Sequence, residues 1–444
     1  MMLKLRAILF SAILLLGFVA FAASPSEFLH EQEMIRVYVD KAPGFGHQSA
    51  GISVMRRLRD LGFKGEFEVV YQSSVAGKIQ KIYPGFPEGI PGDVHYVELN
   101  KYYEMTARQL APQIPFAISG ADDGFGEEFA KIAKADKYLR LQPLGWGPGT
   151  LFENGKAVAM PTMNDLALVN LTSTTEQDLL KSLPEMRELS ADKAQFVERF
   201  AIEAKSQFSF PVYGVGTQTF APQRMFFYGK AVKAAAAKLD KTKAVIVPVV
   251  SPFNTQEMDT FSKIFGKKSG FEAVNATELK HQKQMHLLTP QEFSNLSALK
   301  PGNVYFVFVG SVPQAVFNFF YEKATLPVWV AGKNAMSFAA TQGKPYFNTV
   351  NDYYLPATET LSKESLKILT NAQIGFDSGY GKFMNQPELT AVSKYIQAAA
   401  TPGNELANYY ANLGAKLSSN DRVLEGLRFI TQSPSALSCS KVFQ

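Results

Sequence analysis

From Ile35 onward, apolar and polar positions follow two alternating rhythms. Short apolar runs with a period of two give way to stretches whose apolar residues recur at helical spacing, and then return. In the first half, strands are predicted at residues 35–39, 66–71, 95–99, 115–119 and 138–141, and helices at 49–61, 101–110 and 126–135. Residues 35–71 show the logic. Val37 and Val39 alternate with polar neighbours, and a glycine-bearing loop follows. Ile52, Met55, Leu58 and Leu61 then share a helical face, and Leu61-Gly62-Phe63 ends the helix before the next strand. Asn154-Gly155 predicts a hairpin turn within 151–160, and 192–207 reads as a helix.

The segment 210–222 carries two prolines and two glycines and reads as a boundary, with a linker at 211–222. A second series follows. Strands are predicted at 244–250, 304–309, 327–331 and 345–350, and helices at 224–239, 256–265, 313–324 and 335–341. The last quarter is helical, at 358–370, 388–399, 405–417 and 422–430. This order predicts the α/β class, with mainly parallel sheets covered on both faces. It divides the chain into two doubly wound domains, at 33–210 and 223–415, facing a cleft, with a helical C-terminal segment at 416–444.

Composition narrows the function. The 444 residues are 46% apolar and 12% aromatic, enough for two cores. The net charge of +5 is mild and evenly spread, which excludes the electrostatic footprint of a nucleic-acid binder. Lys4 and Arg6, an uncharged apolar run at 7–21 and the small-x-small site Ala20-Phe21-Ala22 read as a signal peptide over 1–22. The apolar run is shorter than the roughly 20 residues a spanning helix needs. Cleavage is therefore expected, with no membrane span afterwards and a periplasmic or secreted product. Cys439 is the only cysteine, so no intramolecular disulfide and no cysteine-rich metal site can form.

Two segments carry candidate chemistry. The first is Pro43-Gly44-Phe45-Gly46-His47, where Gly44 and Gly46 allow a tight turn and His47 stands at the carboxyl end of the first parallel strand. Ligands bind at that edge of open α/β sheets, although a histidine there also serves as a plain helix cap. This loop resembles the first loop of the GT-B glycosyltransferase superfamily. In the inverting UDP-glycosyltransferases the resemblance implies a histidine acting as general base for the acceptor hydroxyl; the bacterial lipid II glycosyltransferase has a similar turn. The second segment, 328–345, reads VWVAGKNAMSFAATQGKP. Gly332, Asn334, Gly343 and Pro345 are similar to the strand–Gly-x-Asn–helix–Gly-x-Pro segment of the same superfamily. The likeness implies Rossmann-like domains and a helix amino terminus set against the donor diphosphate. Phe338 stands where the family often has a ribose-holding glutamate, and Val330 where its plant branch has a histidine.

A base at His47 calls for a carboxylate to orient it and stabilise the imidazolium. Asp122 and Asp123, in the loop after the strand at 115–119, are the candidates; Asp-Asp-Gly is also ordinary turn chemistry. A cation site from Asp122, Asp123 and Glu127 lacks further ligands, so no metal is expected. Gly310-Ser311 is a second candidate phosphate loop, or a simple turn capped by Ser311. Asn351-Asp352 offers a donor contact at Asp352, or another turn. Trp146 suits a sugar ring or a packing plug. His95 reads as paired within a strand, and His281 and His286 as part of a solvated segment. Two readings stay open. One is an exported, inverting glycosyltransferase-like protein, active or degenerate. It would use a nucleotide-sugar donor as substrate, a small-molecule or glycan acceptor and no further cofactor. The other is a periplasmic bilobal solute-binding protein without catalysis.

Overall fold

The computed structural model describes residues 23–42, 45–145, 147, 149–161, 163, 165–169, 176–215, 221–251, 255–265, 283–348, 358–378 and 386–432. The signal segment, Gly44, Trp146, His281, Asn351, Asp352 and Cys439 lie outside the described residues. The chain forms two compact units. One comprises Met1–Gln142, Gly147–Met163 and Asp421–Gln444; the other comprises Pro143–Trp146 and Asn164–Asn420.

The first unit is built on strands β1 (Met34–Val39), β2 (Glu66–Tyr71), β3 (Val94–Glu98), β4 (Ile114–Ser119), β5 (Ala135–Arg140), β6 (Thr150–Glu153) and β7 (Lys156–Val158). Their order is β3-β2-β1-β4-β5-β6-β7. The first five run parallel, and β6 and β7 close the edge antiparallel. This is a Rossmann-like, doubly wound sheet whose winding reverses between β1 and β4. Asn154 and Gly155 both take positive φ, 51° and 74°, as the predicted two-residue hairpin turn requires.

A row of charges crosses three of these strands. Arg36 on β1 stands opposite Glu68 on β2, which stands opposite His95 on β3. Arg36 is fully buried, forms an ion pair with Glu68, donates to the carbonyls of Ala133 and Lys134, and lies 5.0 Å from the Tyr102 ring centre. His95 Nε2 lies 3.2 Å from Glu68 Oε2. Burial pushes the Glu68 carboxyl up, but the His95 hydrogen bond and the Arg36 charge outweigh it, leaving it below its ordinary value.

The last helix, Arg422–Gln432, packs on this unit. Asp421 accepts from Leu424 N–H at 2.8 Å and pairs with Arg57 Nε at 2.8 Å. Buried Arg422 donates to the carbonyls of Gln142 (2.8 Å) and Gly147 (2.6 Å). Gly426 lets the helix close on β5, since a Cβ there would stand 2.6 Å from Leu139 Cδ2.

The second unit holds β8 (Phe208–Ser209), β9 (Val212–Tyr213), β10 (Val245–Val250), β11 (Met285–Leu288), β12 (Val304–Phe308), β13 (Val328–Val330) and β14 (Tyr346–Asn348). The order is β11-β12-β10-β9-β13-β14, with β8 also on β10, and the pairs are parallel. β8 and β9 follow one line along β10, interrupted at Pro211, which has no N–H for the ladder. Part of the segment read as linker is thus a central strand. Helices Glu176–Leu189 and Ala191–Glu203 also belong to this unit, because Phe196 and Phe200 share a core with Ile246, Tyr305, Val307 and Phe320. Helices Ala221–Leu239, Lys363–Ser378 and Gln386–Ala400 contribute to a second core with Val245, Val247 and Trp329. His286 is not on a solvated segment but in β11. Its ring stacks on Tyr305 at 4.8 Å, and Asn303 Nδ2 lies 2.8 Å from its Nε2.

The charge row carries a pH signature. Glu68 binds its proton less readily folded than unfolded, so its contribution is complete above the unfolded carboxylate range and disappears as pH falls through the lower folded value. Urea unfolding should show Glu68→Gln less stable than wild type at pH 7 by about 3–5 kcal/mol, because Arg36 loses its partner. The gap should narrow in acid; a gap constant with pH would exclude this role.

Candidate active site

At the reversal between β1 and β4, two neighbouring loops leave the carboxyl edge of the first sheet in opposite directions, the ordinary place for a ligand crevice. The chain leaves β1 at Asp40, which is 1% exposed. Its Oδ1 accepts from the Tyr38 hydroxyl (3.1 Å), from Lys41 N–H (2.7 Å) and from Gln72 Nε2. The following helix, Gly46–Asp60, begins three residues before the expected start, with Phe45 as its cap residue. His47 therefore lies in the first helical turn and is buried. Gln48 anchors that turn: its Nε2 donates to the Asp40 carbonyl (2.9 Å), and the Tyr83 hydroxyl donates to the Gln48 carbonyl (2.9 Å). Gly51 allows the helix to lie on β1, since a Cβ there would meet Tyr83 Oη at 2.3 Å and Val39 Cγ2 at 3.0 Å.

The second loop leaves β4 through Gly120, where a Cβ would stand 3.0 Å from the Ala50 carbonyl oxygen. The two aspartates that follow take separate partners. Asp122 is buried and receives Arg140 on both oxygens, Nη2 to Oδ1 at 2.8 Å and Nε to Oδ2 at 2.9 Å. It also accepts from Gly124 N–H at 2.9 Å. Glu127 meets the same Arg140, at 3.0 Å. Asp123 donates its backbone N–H to Asp40 Oδ2 at 3.0 Å. Its side chain, 46% exposed, lies 3.3 Å from His47 Nε2. The structure thus brings His47 and Asp123 together and commits Asp122 to Arg140. Asp40 and Arg140 escaped the sequence reading. An acid directly after the first strand, in Val39-Asp40, was the available signal for Asp40; nothing in the spacing marked Arg140.

In the second unit the winding reverses between β9 and β13. Gly214, after β9, approaches Ala331 so closely that a Cβ would stand 2.3 Å from the Ala331 Cβ. Ser251 Oγ accepts from the N–H groups of Gly214 (2.8 Å) and Val215 (3.1 Å). Gly332 takes φ 98° and caps the helix Lys333–Thr341, so Asn334 lies in its first turn. Gly310 takes φ 68°, and the Ser311 carbonyl accepts from Lys193 Nζ at 3.0 Å. Ser311 does not cap the next helix, whose cap residue is Pro313. Phe338 is buried against Tyr321 and Phe317, with ring centres 5.7 and 6.3 Å away. Gly343 admits a neighbouring helix: a Cβ on Gly414 would stand 2.5 Å from the Gly343 nitrogen. Pro345 supplies a sheet carbonyl to Val328 N–H at 2.8 Å.

No family model matches this chain, and neither does any curated protein. Among solved structures it is similar to UDP-GlcNAc 2-epimerase from Methanocaldococcus jannaschii, at 11% identity and TM-score 0.42 over 90% of this chain and 100% of the other. It is similar to α,α-trehalose 6-phosphate synthase from Burkholderia multivorans, at 11% identity and TM-score 0.40 over 91% and 99%. It is also similar to a family 9 glycosyl transferase from Veillonella parvula, at 9% identity and TM-score 0.39 over 88% and 100%. All three scores are below 0.5, and a likeness of that degree decides neither activity nor ligand. The two parallel Rossmann-like sheets rest instead on the strand pairings themselves. Among the described residues, no three His, Cys, Asp or Glu side chains gather as metal ligands, and no helix is long and apolar enough to cross a membrane.

The two adjacent aspartates should separate in a stability measurement. Asp122→Asn is expected to lower the unfolding midpoint clearly, since it weakens a buried bidentate pair, whereas Asp123→Asn should stay within about 0.5 kcal/mol of wild type. Equal losses would contradict the division of roles. Gly51→Ala should cost about 1–3 kcal/mol by overpacking the helix against Tyr83 and β1, read by urea unfolding.

Proposed function

We propose that this chain is a divergent GT-B-like glycosyltransferase that transfers a sugar from a nucleotide donor to an acceptor hydroxyl with inversion. The observation that carries the reading is the His47–Asp123 pair at the winding reversal of the first sheet. In this reading the acceptor oxygen attacks the anomeric carbon while the His47 imidazole takes its proton. Asp123, 3.3 Å from Nε2, accepts from that nitrogen's N–H and so orients the ring and stabilises the imidazolium. The bond from the anomeric carbon to the donor phosphate breaks, and the diphosphate leaves with the electron pair. Its charge suits the Gly332–Asn334 helix start in the second unit, where backbone N–H groups and the helix dipole favour an anion. Gly310-Ser311, beside the Lys193 ammonium, is the second candidate phosphate contact, and Asp352 is proposed to touch the donor sugar. Phe338 cannot hold ribose hydroxyls, so the nucleoside must be recognised without the family's acid. Residues 1–22 are proposed as an export signal, giving a periplasmic or secreted protein.

The test pairs binding with turnover. Thermal shifts against UDP and GDP sugars, free sugars, amino acids and peptides should single out a nucleotide sugar, because a ligand that binds the folded state raises its stability. With that donor, His47→Ala should lower kcat/KM by about 10²–10⁴-fold, the usual contribution of a general base, while keeping the donor's thermal shift. A protein that responds only to free solutes would instead be a binding protein, and full activity in His47→Ala would remove the base.

A further inference from the structure

The His47–Asp123 pair has one partner near the surface. The Asp123 side chain is 46% exposed, and an ion pair at such exposure contributes little when both side chains are free to move. A fixed separation has to come from what holds the two residues, rather than from their own attraction.

Both are tied to Asp40. On the His47 side, the Asp40 carbonyl accepts from Gln48 Nε2 at 2.9 Å. Gln48 is fully buried, directly follows His47 in the same helix, and has its own carbonyl bonded by the Tyr83 hydroxyl at 2.9 Å. On the other side, Asp40 Oδ2 accepts the Asp123 backbone N–H at 3.0 Å. The second carboxylate oxygen, Oδ1, is taken by the Tyr38 hydroxyl, Lys41 N–H and Gln72 Nε2. Asp40 is also 1% exposed. A carboxylate so enclosed, with both oxygens engaged by protein donors, is not placed to take a proton from a substrate.

We infer that Asp40 is the positioning residue of the candidate active site, setting the separation of His47 and Asp123 without touching the reacting groups. Its kinetic effect rests on the transferase reading; the geometry it sets does not. Catalytic groups need a tightly held geometry, and a misplacement of about 1 Å costs about 10²-fold in rate. Asp40→Asn isolates the role. Three donors keep an oxygen at the Oδ1 position, so the new NH2 group falls opposite the Asp123 N–H. Two donors then face each other, and one tie is cut with little change of shape.

NMR of the full chain with ¹⁵N-labelled histidine tests this, since the His47 Nε2 resonance, assigned by its loss in His47→Ala, reports the hydrogen bond to Asp123. Asp40→Asn should shift it in the same direction as Asp123→Ala, and the double variant should match Asp123→Ala alone, because effects that pass through one contact do not add. Gln48→Met cuts the other tie without touching the buried charge and should also shift it, which keeps the role testable where Asp40→Asn does not fold. Glu68→Gln, which weakens the same unit at its charge row, should leave the resonance as in wild type. With a nucleotide-sugar donor, Asp40→Asn should lower kcat by about 10²-fold with KM held. A wild-type resonance in folded Asp40→Asn or Gln48→Met, or additive shifts in the double variant, would overturn the assignment. So would an unchanged kcat where His47→Ala abolishes turnover. Full activity in His47→Ala would remove the transferase reading instead, and the resonances alone would then decide the role of Asp40.

Discussion

Everything at the carboxyl edge of the first sheet depends on one buried carboxylate. Asp40 is almost inaccessible to water, so its charge must be met by donors from the protein. They come from three places in the chain: Tyr38 and Lys41 beside it, Gln72 after β2, and Asp123 N–H after β4. A carboxylate that is satisfied only when three segments converge makes their convergence cooperative. The separation of His47 from Asp123 is inherited from this arrangement. One end of the pair is fixed through Gln48 and the other through the Asp123 backbone, and both lead to Asp40.

The two units build their strand-end edges from different materials. The first uses buried charge, with Asp40 and the Asp122–Arg140 pair holding its loops. The second uses glycine turns. Gly214, Gly310 and Gly332 all take positive φ, and a serine hydroxyl gathers two of the N–H groups. Beside these turns, Phe338 packs its ring into the core of the unit, against Tyr321.

Residues 244–250 and 304–309 were legible as strands because a strand buried on both faces must be apolar at every position. The turn at Asn154-Gly155 was legible because positive φ at both positions leaves few residue choices. The four-residue strand β11 and the two-residue strands β8 and β9 are too short to show a period, and their pairing comes from neighbours distant in sequence. The helix Ala191–Glu203 was found, but the unit it joins depends on Phe196 and Phe200 meeting β10 and β12, which no local pattern encodes. The division between Asp122 and Asp123 was hidden for a similar reason. Adjacent acids look alike in sequence, and only Arg140, on another strand, separates them.

The return of the last helix to the first unit has a kinetic meaning. Arg57 and Asp421 are 364 positions apart, so the pair closes only after the whole second unit has been made. Contacts of such separation carry a high loop-closure cost and form late. Until then, the β5 surface around Leu139 and the carbonyls of Gln142 and Gly147 wait for partners that the ribosome has not yet released. The first unit is thus begun first and finished last, and its completion reports that the chain has been read to the end of that helix.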